Sequence, residues 1–301
     1  MKINFECALC LFHRGYMEII EATEDPKLRF EAARQLLNFL AENLSPEAVP
    51  AILGTFRDRI IKRVTGNPDP YLEKKRLSNI EAMKILPLAD KIISEGGDDK
   101  SRFRRACLCA IAGNTIEFNI PGHEFGFEDL GSLLLEAERS LAIDDIFEAF
   151  SIAKKSNLIV YLTDNAGEIA LDTLLVRELK RLGGRVIVAV KGEPVYNDAT
   201  MDDALFVGMD RVADKVITTG SDTMGLVTSE CSEEFMEAYK SADFVVAKGM
   251  GNAETLTEMD LTAPHLLLLK AKCMNVARYF GVERGKSIAK LLYPRKPNIN
   301  F

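Results

Sequence analysis

No apolar run in these 301 residues approaches the ~20 that a helical membrane span needs. The opening stretch, MKINFECALCLFHRGYMEII, mixes acids and a histidine into its apolar positions and lacks a small-residue cleavage site. A secretory leader is therefore not expected, and the cytoplasm is the expected location. Lys and Arg number 38 against 45 Asp and Glu, a net charge of −7, and no basic tract stands out. That argues against a nucleic-acid partner. It also means that a small anionic substrate would meet a repelling field, so its site needs a local cation or a metal. Six cysteines in no scaffold-like pattern fit reduced thiols. The three histidines, His13, His123 and His265, have no motif partners. There is no GxxxxGK(S/T) phosphate loop, no repeat of 20–50 residues and no low-complexity linker.

What is present falls into two textures. Residues 1–155 read as an all-helical domain. DPKLRFEAARQLLNFLAENL sets Leu28, Phe30, Ala33, Leu36, Leu37 and Leu40 at helical steps. Ser45-Pro46 reads as an N-cap and first-turn proline opening the next helix, and Pro87 is expected to kink or split a later one. Residues 156–301 alternate instead. Short apolar runs LIVYLT (158–163), RVIVAV (185–190), KVITT (215–219), DFVVAK (243–248) and HLLLLK (265–270) suit buried strands, with helix-like segments between the first four. The alternation predicts an α/β fold with a mostly parallel sheet and right-handed crossovers.

The unusual polar residues collect just after the strands, where open α/β sheets bind ligands. Asp164, Asn165, Gly167 and Glu168 follow the first strand; Lys191, Asn197, Asp198, Asp202 and Asp203 follow the second. TGSDTMG follows the third, Lys248, Asn252 and Glu254 the fourth, and Lys270 and Lys272 the fifth. Carboxylate and amide oxygens without a paired His or Cys are hard ligands that suit Mg²⁺ or Mn²⁺. Lysines and glycine-rich backbone suit phosphate oxygens. Together they point to phosphoryl chemistry assisted by a metal.

Each motif also has a plainer reading. Asp164 alone could cap the following helix. KGMGNAE imitates half of a dinucleotide fingerprint but has Glu254 at its sixth position. An aspartyl-nucleophile phosphatase would carry a second acid two residues after Asp164, where Ala166 stands. Cys7, Cys10, Cys107 and Cys109 could form a four-thiolate zinc site if their segments met, although buried free thiols account for them more simply. AGNTIEF (112–118) is either a helix C-cap or a loop bringing Asn114 and Glu117 to a cleft between the domains.

The ordered set DNAGE, KGEPVYNDAT, KGMGNAETL and LLLLKAKC, with AGNTIEF and the N-terminal CALC, resembles the damage-control phosphatase family. That family is also called ARMT-like and was formerly domain of unknown function 89; the N-terminal CxxC resembles its compact prokaryotic branch. The resemblance covers essentially the whole chain. It implies a helical domain packed on a Rossmann-like, three-layer α/β domain, with the site in the cleft between them. It further implies a divalent-metal-dependent phosphatase of small phosphometabolites, such as damaged or misplaced sugar phosphates. On this reading Asp164, Asn165 and Asp198 hold one divalent ion (Mg, Mn, Co or Ni), and Glu168 supports them or acts as a base. Lys248, with Asn252 and the backbone of Gly249 and Gly251, is expected on the substrate phosphate; Lys191 and Asn114 are further candidates for substrate contact. Glu117 stands where family members often carry Asp. Two other readings stay open: an S-adenosylmethionine-dependent carboxyl methyltransferase, and a phosphometabolite-binding protein without turnover.

Overall fold

Apolar runs buried on both faces lie at the centre of this molecule and assemble its sheet. The computed structural model describes residues 1–113 and 135–295. Asn114, Glu117 and His123 lie outside the described residues. The strands are β1 (Leu141–Asp144), β2 (Leu158–Leu162), β3 (Arg185–Val190), β4 (Lys215–Thr218), β5 (Phe244–Lys248), β6 (His265–Lys270) and β7 (Ser287–Leu292). They form one sheet in the order β1-β7-β6-β5-β2-β3-β4. The five expected strands are all present and mutually parallel. β5 is buried at every position, as a strand covered on both faces should be.

β1 and β7 are additions to the expected set. β7 runs antiparallel to β6, and β1 pairs parallel with β7 at the edge. β1 is four residues long and alternates half-buried with exposed positions, so no apolar run marks it. Its place in the sheet also corrects the expectation that residues 1–155 are all helical.

Helices α1 (Glu6–Ala22), α2 (Pro26–Asn43) and α3 (Pro50–Thr65) build small cores of their own around Leu36, Leu40 and Ile61. The helix expected from Ser45-Pro46 begins instead at Pro50. A residue preceding proline is pushed out of the α region, and Val49 is extended accordingly, at φ −107° and ψ 128°. Helix α4 (Leu72–Ser94) runs unbroken through Pro87. Together with α5 (Asp99–Gly113), α6 (Ile146–Ala153) and α7 (Glu168–Arg181), it covers one face of the sheet, on Ile159, Tyr161, Val188 and Val246. The expected domain boundary at 155/156 is therefore not where packing divides the chain. α4 and α5 share the sheet's core, and only α1–α3 stand apart.

Beyond β3 lie α8 (Met201–Phe206) and α9 (Met209–Val212). The opposite face is covered by α10 (Glu233–Ser241), α11 (Gly249–Leu256) and α12 (Met274–Phe280). The result is a three-layer α/β sandwich with a helical N-terminal region. Helix α3 lies over the carboxyl ends of the central strands. Its Lys62 donates to Pro194 O at 2.6 Å, its Asp58 accepts from Tyr196 N at 2.8 Å, and its Thr55 hydroxyl accepts from Met224 N at 2.9 Å. No helix of the described residues is long and apolar enough to cross a membrane.

Candidate active site

After β2 the chain moves outward through β3 and β4, then returns to place β5 on the other side of β2. The loops after β2 and β5 thus diverge at a topological switch point, which leaves a crevice at their carboxyl ends. Asp164 and Asn165 stand at that crevice.

Backbone pairing assembles the site. Ala166 N donates to Asn197 O at 2.9 Å, and Ala199 N donates to Asp164 O at 2.8 Å. Asn165 and Asp198 face each other as an antiparallel bridge between these bonds. The NDAT segment is thereby laid against the end of β2, joining residues that are 33 positions apart. Gly249 closes the other side. Its φ is +77°, and an added Cβ would overlap the Asp164 carboxylate, so glycine is required for both shape and conformation. Asp164 is not the cap of α7. That helix starts after Gly167, at φ +81°, and Asp164 stays at the rim.

The side chains are pinned from below. Asn165 Nδ2 donates to Asp164 Oδ2 at 2.9 Å and to Glu168 Oε1 at 2.6 Å. Both amide hydrogens being spent on carboxylates, Asn165 Oδ1 is the atom left to act as a ligand. Lys248 Nζ donates to Glu168 Oε2 at 3.2 Å and to Asp172 Oδ1 at 3.0 Å, and Tyr161 Oη donates to the same Asp172 oxygen at 2.8 Å. Lys248 is wholly buried.

The acids are crowded. Burial, reinforced by the charges of Glu168 and Asp198, holds the Asp164 carboxyl well above the usual range, against the opposing charges of Lys272 and Lys248. Burial also pushes Asp198 up to about 6, although Lys191 stands 3.5 Å away. Two carboxylates that resist ionisation side by side, with a neighbouring amide oxygen, form a hard-ligand set that a divalent cation would relieve. Among the described residues, no three His, Cys, Asp or Glu side chains form a metal cluster by themselves. The third donor here is an amide.

Several expected residues are near the site without being open to a ligand. Lys191 is buried and donates to Gly225 O at 2.7 Å. Asn252 is buried as well, donating to Thr163 O at 3.1 Å and Lys248 O at 2.9 Å, so it ties β2 to β5. Gly251 is half-buried and packs against Gly225. Thiols do not assemble as the zinc reading required. Cys107 and Cys109 are buried inside α5, while Cys7 shares its surroundings with Cys10 and Cys273.

Sequence reasoning missed residues contributed by the helices. Asn79 of α4 accepts from Gly167 N and donates to Asp203 Oδ1, both at 2.7 Å, coupling the loops after β2 and β3. A buried asparagine inside an apolar helix face was the available signal. Tyr196, two residues before Asp198, has φ +49° and packs on Tyr71 at a ring separation of 4.7 Å. Arg14 donates to its hydroxyl at 3.0 Å, and the Arg57 guanidinium lies 5.2 Å from its ring centre. Burial raises Glu18 to about 8 despite its 3.0 Å ion pair with Arg57.

Residues 3–288 match the damage-control phosphatase ARMT1-like domain. The chain belongs to this family. A protein of Archaeoglobus fulgidus named damage-control phosphatase is 38% identical over 293 residues, covering 97% of this chain and all of that one. Another named damage-control phosphatase, from Pyrococcus horikoshii, is 35% identical over 95% of this chain and 96% of its own. An uncharacterized protein of Methanocaldococcus jannaschii is 38% identical over 96% of this chain and 95% of its own length. The crystal structure of a P. horikoshii protein from the domain of unknown function 89 family superposes with a TM-score of 0.86. It is 34% identical and covers 98% of this chain and 100% of that one. The DNAGE and NDAT segments thus meet at the switch point of this family's fold.

Proposed function

We propose that this protein is a divalent-metal-dependent phosphatase of small phosphometabolites, the damaged or misplaced sugar phosphates among them. The observation that carries this reading is the Asp164–Asn165–Asp198 constellation at the switch point. Two mutually repelling carboxylates and an oriented amide converge there, beside the amino end of α11. Family membership supports the phosphatase class, and the metal and substrate are part of the proposal.

Asp164, Asn165 and Asp198 would hold one divalent ion. When bound, such an ion supplies a Lewis acid for a phosphoryl oxygen and lowers the pKa of an attacking water. The remaining work falls to the protein's own groups. Glu168 fixes the Asn165 amide through its Nδ2, leaving Oδ1 as the ligand atom, and Lys248, itself held by Asp172, holds Glu168 in turn. With both oxygens engaged in these bonds, Glu168 has a positioning role. The first turn of α11 carries amide donors that no helix carbonyl can satisfy, and these suit phosphoryl oxygens. Helices α1 and α3 hold the loop before Asp198 in place through Arg14 on the Tyr196 hydroxyl, Asp58 on Tyr196 N and Lys62 on Pro194 O.

The test is hydrolysis of p-nitrophenyl phosphate by chelator-stripped protein, with Mg, Mn, Co and Ni restored singly. Turnover that requires a metal is expected. Folded protein inactive with every metal would reject the reading. A calorimetric titration with S-adenosylmethionine, for which no heat is expected, addresses the methyltransferase alternative. Asp164-Asn165 occupies the place after β2 where such enzymes carry a glycine-rich loop.

A further inference from the structure

Three of the six cysteines meet where two helices begin, and they differ from the others in access. Cys107 and Cys109 are sealed inside α5, and Cys231 is half-buried with its thiol donating to Val227 O at 3.3 Å. Cys10 is exposed, while Cys7 and Cys273 are half-buried. The starts of α1 and α12 are tied together. Asn275 Nδ2 donates to Lys2 O at 3.0 Å, and Arg278 holds Glu6 at 2.8 and 3.2 Å. Asn4 N donates to the Cys7 sulfur at 3.4 Å, and Val276 N donates to the Cys273 sulfur at 3.5 Å. Burial raises the Cys7 thiol; the Asn4 amide opposes the rise, and Cys273, Glu254 and Cys10 add to it. The three sulfurs thus share one neighbourhood near the surface.

Helix spacing selects the reacting pair. Residues three apart on an α-helix have Cα atoms about 5 Å from each other, inside the range that a disulfide spans. Cys7 and Cys10 are so placed at the start of α1, and side chains at that spacing are neighbours. Access and charge then divide the roles. Cys10 is open to solvent, and Arg14 stands one turn further along the helix. Against the burial that lowers it, the Arg14 guanidinium is raised by Tyr196 and Cys10. A guanidinium beside a thiol favours the thiolate, which is the nucleophilic form. Arg14 also donates to the Tyr196 hydroxyl at 3.0 Å, two residues before Asp198.

We propose that Cys7 and Cys10 are a reversible dithiol–disulfide site for peroxides, and that its oxidation loosens the loop bearing Asp198. The Cys10 thiolate attacks one peroxide oxygen. An S–O bond forms and the O–O bond breaks. The leaving hydroxide takes up the proton that the thiol released, giving water and a sulfenic acid on Cys10. The Cys7 sulfur then attacks the Cys10 sulfur. The S–S bond forms, the S–O bond breaks, and the hydroxyl departs with the Cys7 proton as a second water. Both thiols are oxidised and the peroxide is reduced. Once in the disulfide, Cys10 no longer offers Arg14 a thiolate, and the hold of Arg14 on Tyr196 changes with it. The effect on turnover rests on the phosphatase reading, whereas the disulfide does not.

The experiment treats the folded full chain with stoichiometric hydrogen peroxide and maps its thiols by alkylation and peptide mass spectrometry. Wild type, Cys7→Ser and Cys10→Ser are compared. Wild type is expected to lose two thiols, to carry a Cys7–Cys10 bond lighter by two hydrogens, and to regain both thiols in dithiothreitol. Cys7→Ser is expected to stop at a sulfenic acid on Cys10 that dimedone traps, and Cys10→Ser to stay reduced. A full set of free thiols in treated wild type would overturn the site, as would a disulfide through Cys273. Hydrolysis of p-nitrophenyl phosphate is measured on the same samples with metal restored. Oxidation should lower kcat/KM by roughly 3- to 10-fold, the size of one hydrogen bond's contribution, with recovery on reduction and no such drop in Cys10→Ser. Unchanged turnover in the oxidised protein would overturn the coupling to the Asp198 loop. A mapped Cys7–Cys10 disulfide in protein inactive with every metal would remove the phosphatase reading and leave the dithiol site standing.

Discussion

The two rims of the sheet use carboxylates in opposite ways. On the amino rim each acid is satisfied by backbone. Asp243 accepts from Asn157 N at 2.8 Å and Leu158 N at 3.0 Å, and Asp145 accepts from Leu291 N at 2.8 Å and Lys290 at 2.9 Å. Asp214 accepts from Val186 N at 2.8 Å. Burial raises Asp214, but the Val186 amide and Lys180 outweigh it and leave the carboxyl below its ordinary range. On the carboxyl rim burial pushes both acids the other way, Asp164 with the charges of Glu168 and Asp198 added, and Asp198 with those of Asp58 and Glu168. One rim holds strands together. The other stores unfavourable charge that a bound cation and substrate would relieve, as functional sites commonly do.

The sharpest way to break this contrast is Asp164→Ala. Metal-dependent turnover should fall by at least about 10⁴-fold, more than ~5 kcal/mol on the barrier, while the melting temperature holds or rises. Unchanged turnover would take Asp164 out of the site, and a melting temperature lower by several degrees would show its carboxylate to be stabilising. Next in size is Lys248→Met, which strands Glu168 and Asp172 as buried acids. Urea unfolding should show a loss of roughly 3–5 kcal/mol, and a loss below 1 kcal/mol would contradict the bridging role.

On the amino rim, pH provides the third handle. His265, at the start of β6, is wholly buried between Ala263 O at 2.7 Å and the Tyr239 hydroxyl at 2.8 Å, and burial lowers its pKa to about 4. Unfolded histidine titrates near 6.5, so the unfolded chain binds the proton first as pH falls. Its stabilising contribution is therefore full above pH ~6.5 and lost toward pH ~4, by up to about 3 kcal/mol. Paired urea curves of wild type and His265→Gln at pH 7 and 4.5 should converge at the lower pH; parallel curves would exclude the linkage. The smallest effect belongs to Asp243→Ala, which frees two strand-opening amides to solvent. About 1 kcal/mol of stability should go, with kcat and KM unchanged, and any loss of activity would blur the division between the rims.

Much of the architecture could be read from residue order. Four of the five parallel strands, β2, β3, β5 and β6, are short apolar runs because both of their faces are covered, and a run of that kind is visible without coordinates. The polar residues directly after them mark the carboxyl rim, since a buried strand that ends in Asp164-Asn165 has little structural motive for that ending. β1 escaped because an edge strand of four half-exposed residues leaves no such run. The membership of α4 and α5 in the sheet's core escaped for another reason. Periodicity says that a helix buries a face, and it is silent about which neighbour covers it.

The strand order along the chain, the glycine at position 249 and the chemical identity of Asp164, Asn165 and Asp198 are local properties, carried by composition and spacing alone. Which lysine is enclosed is not local. Lys248 and Lys272 each follow a strand and are equivalent as letters in a sequence. Only the packed structure encloses Lys248 between Glu168 and Asp172 and leaves Lys272 half-buried. Burial and charge pairing are sums over neighbours distant in the chain, and those neighbours meet only once the fold has closed.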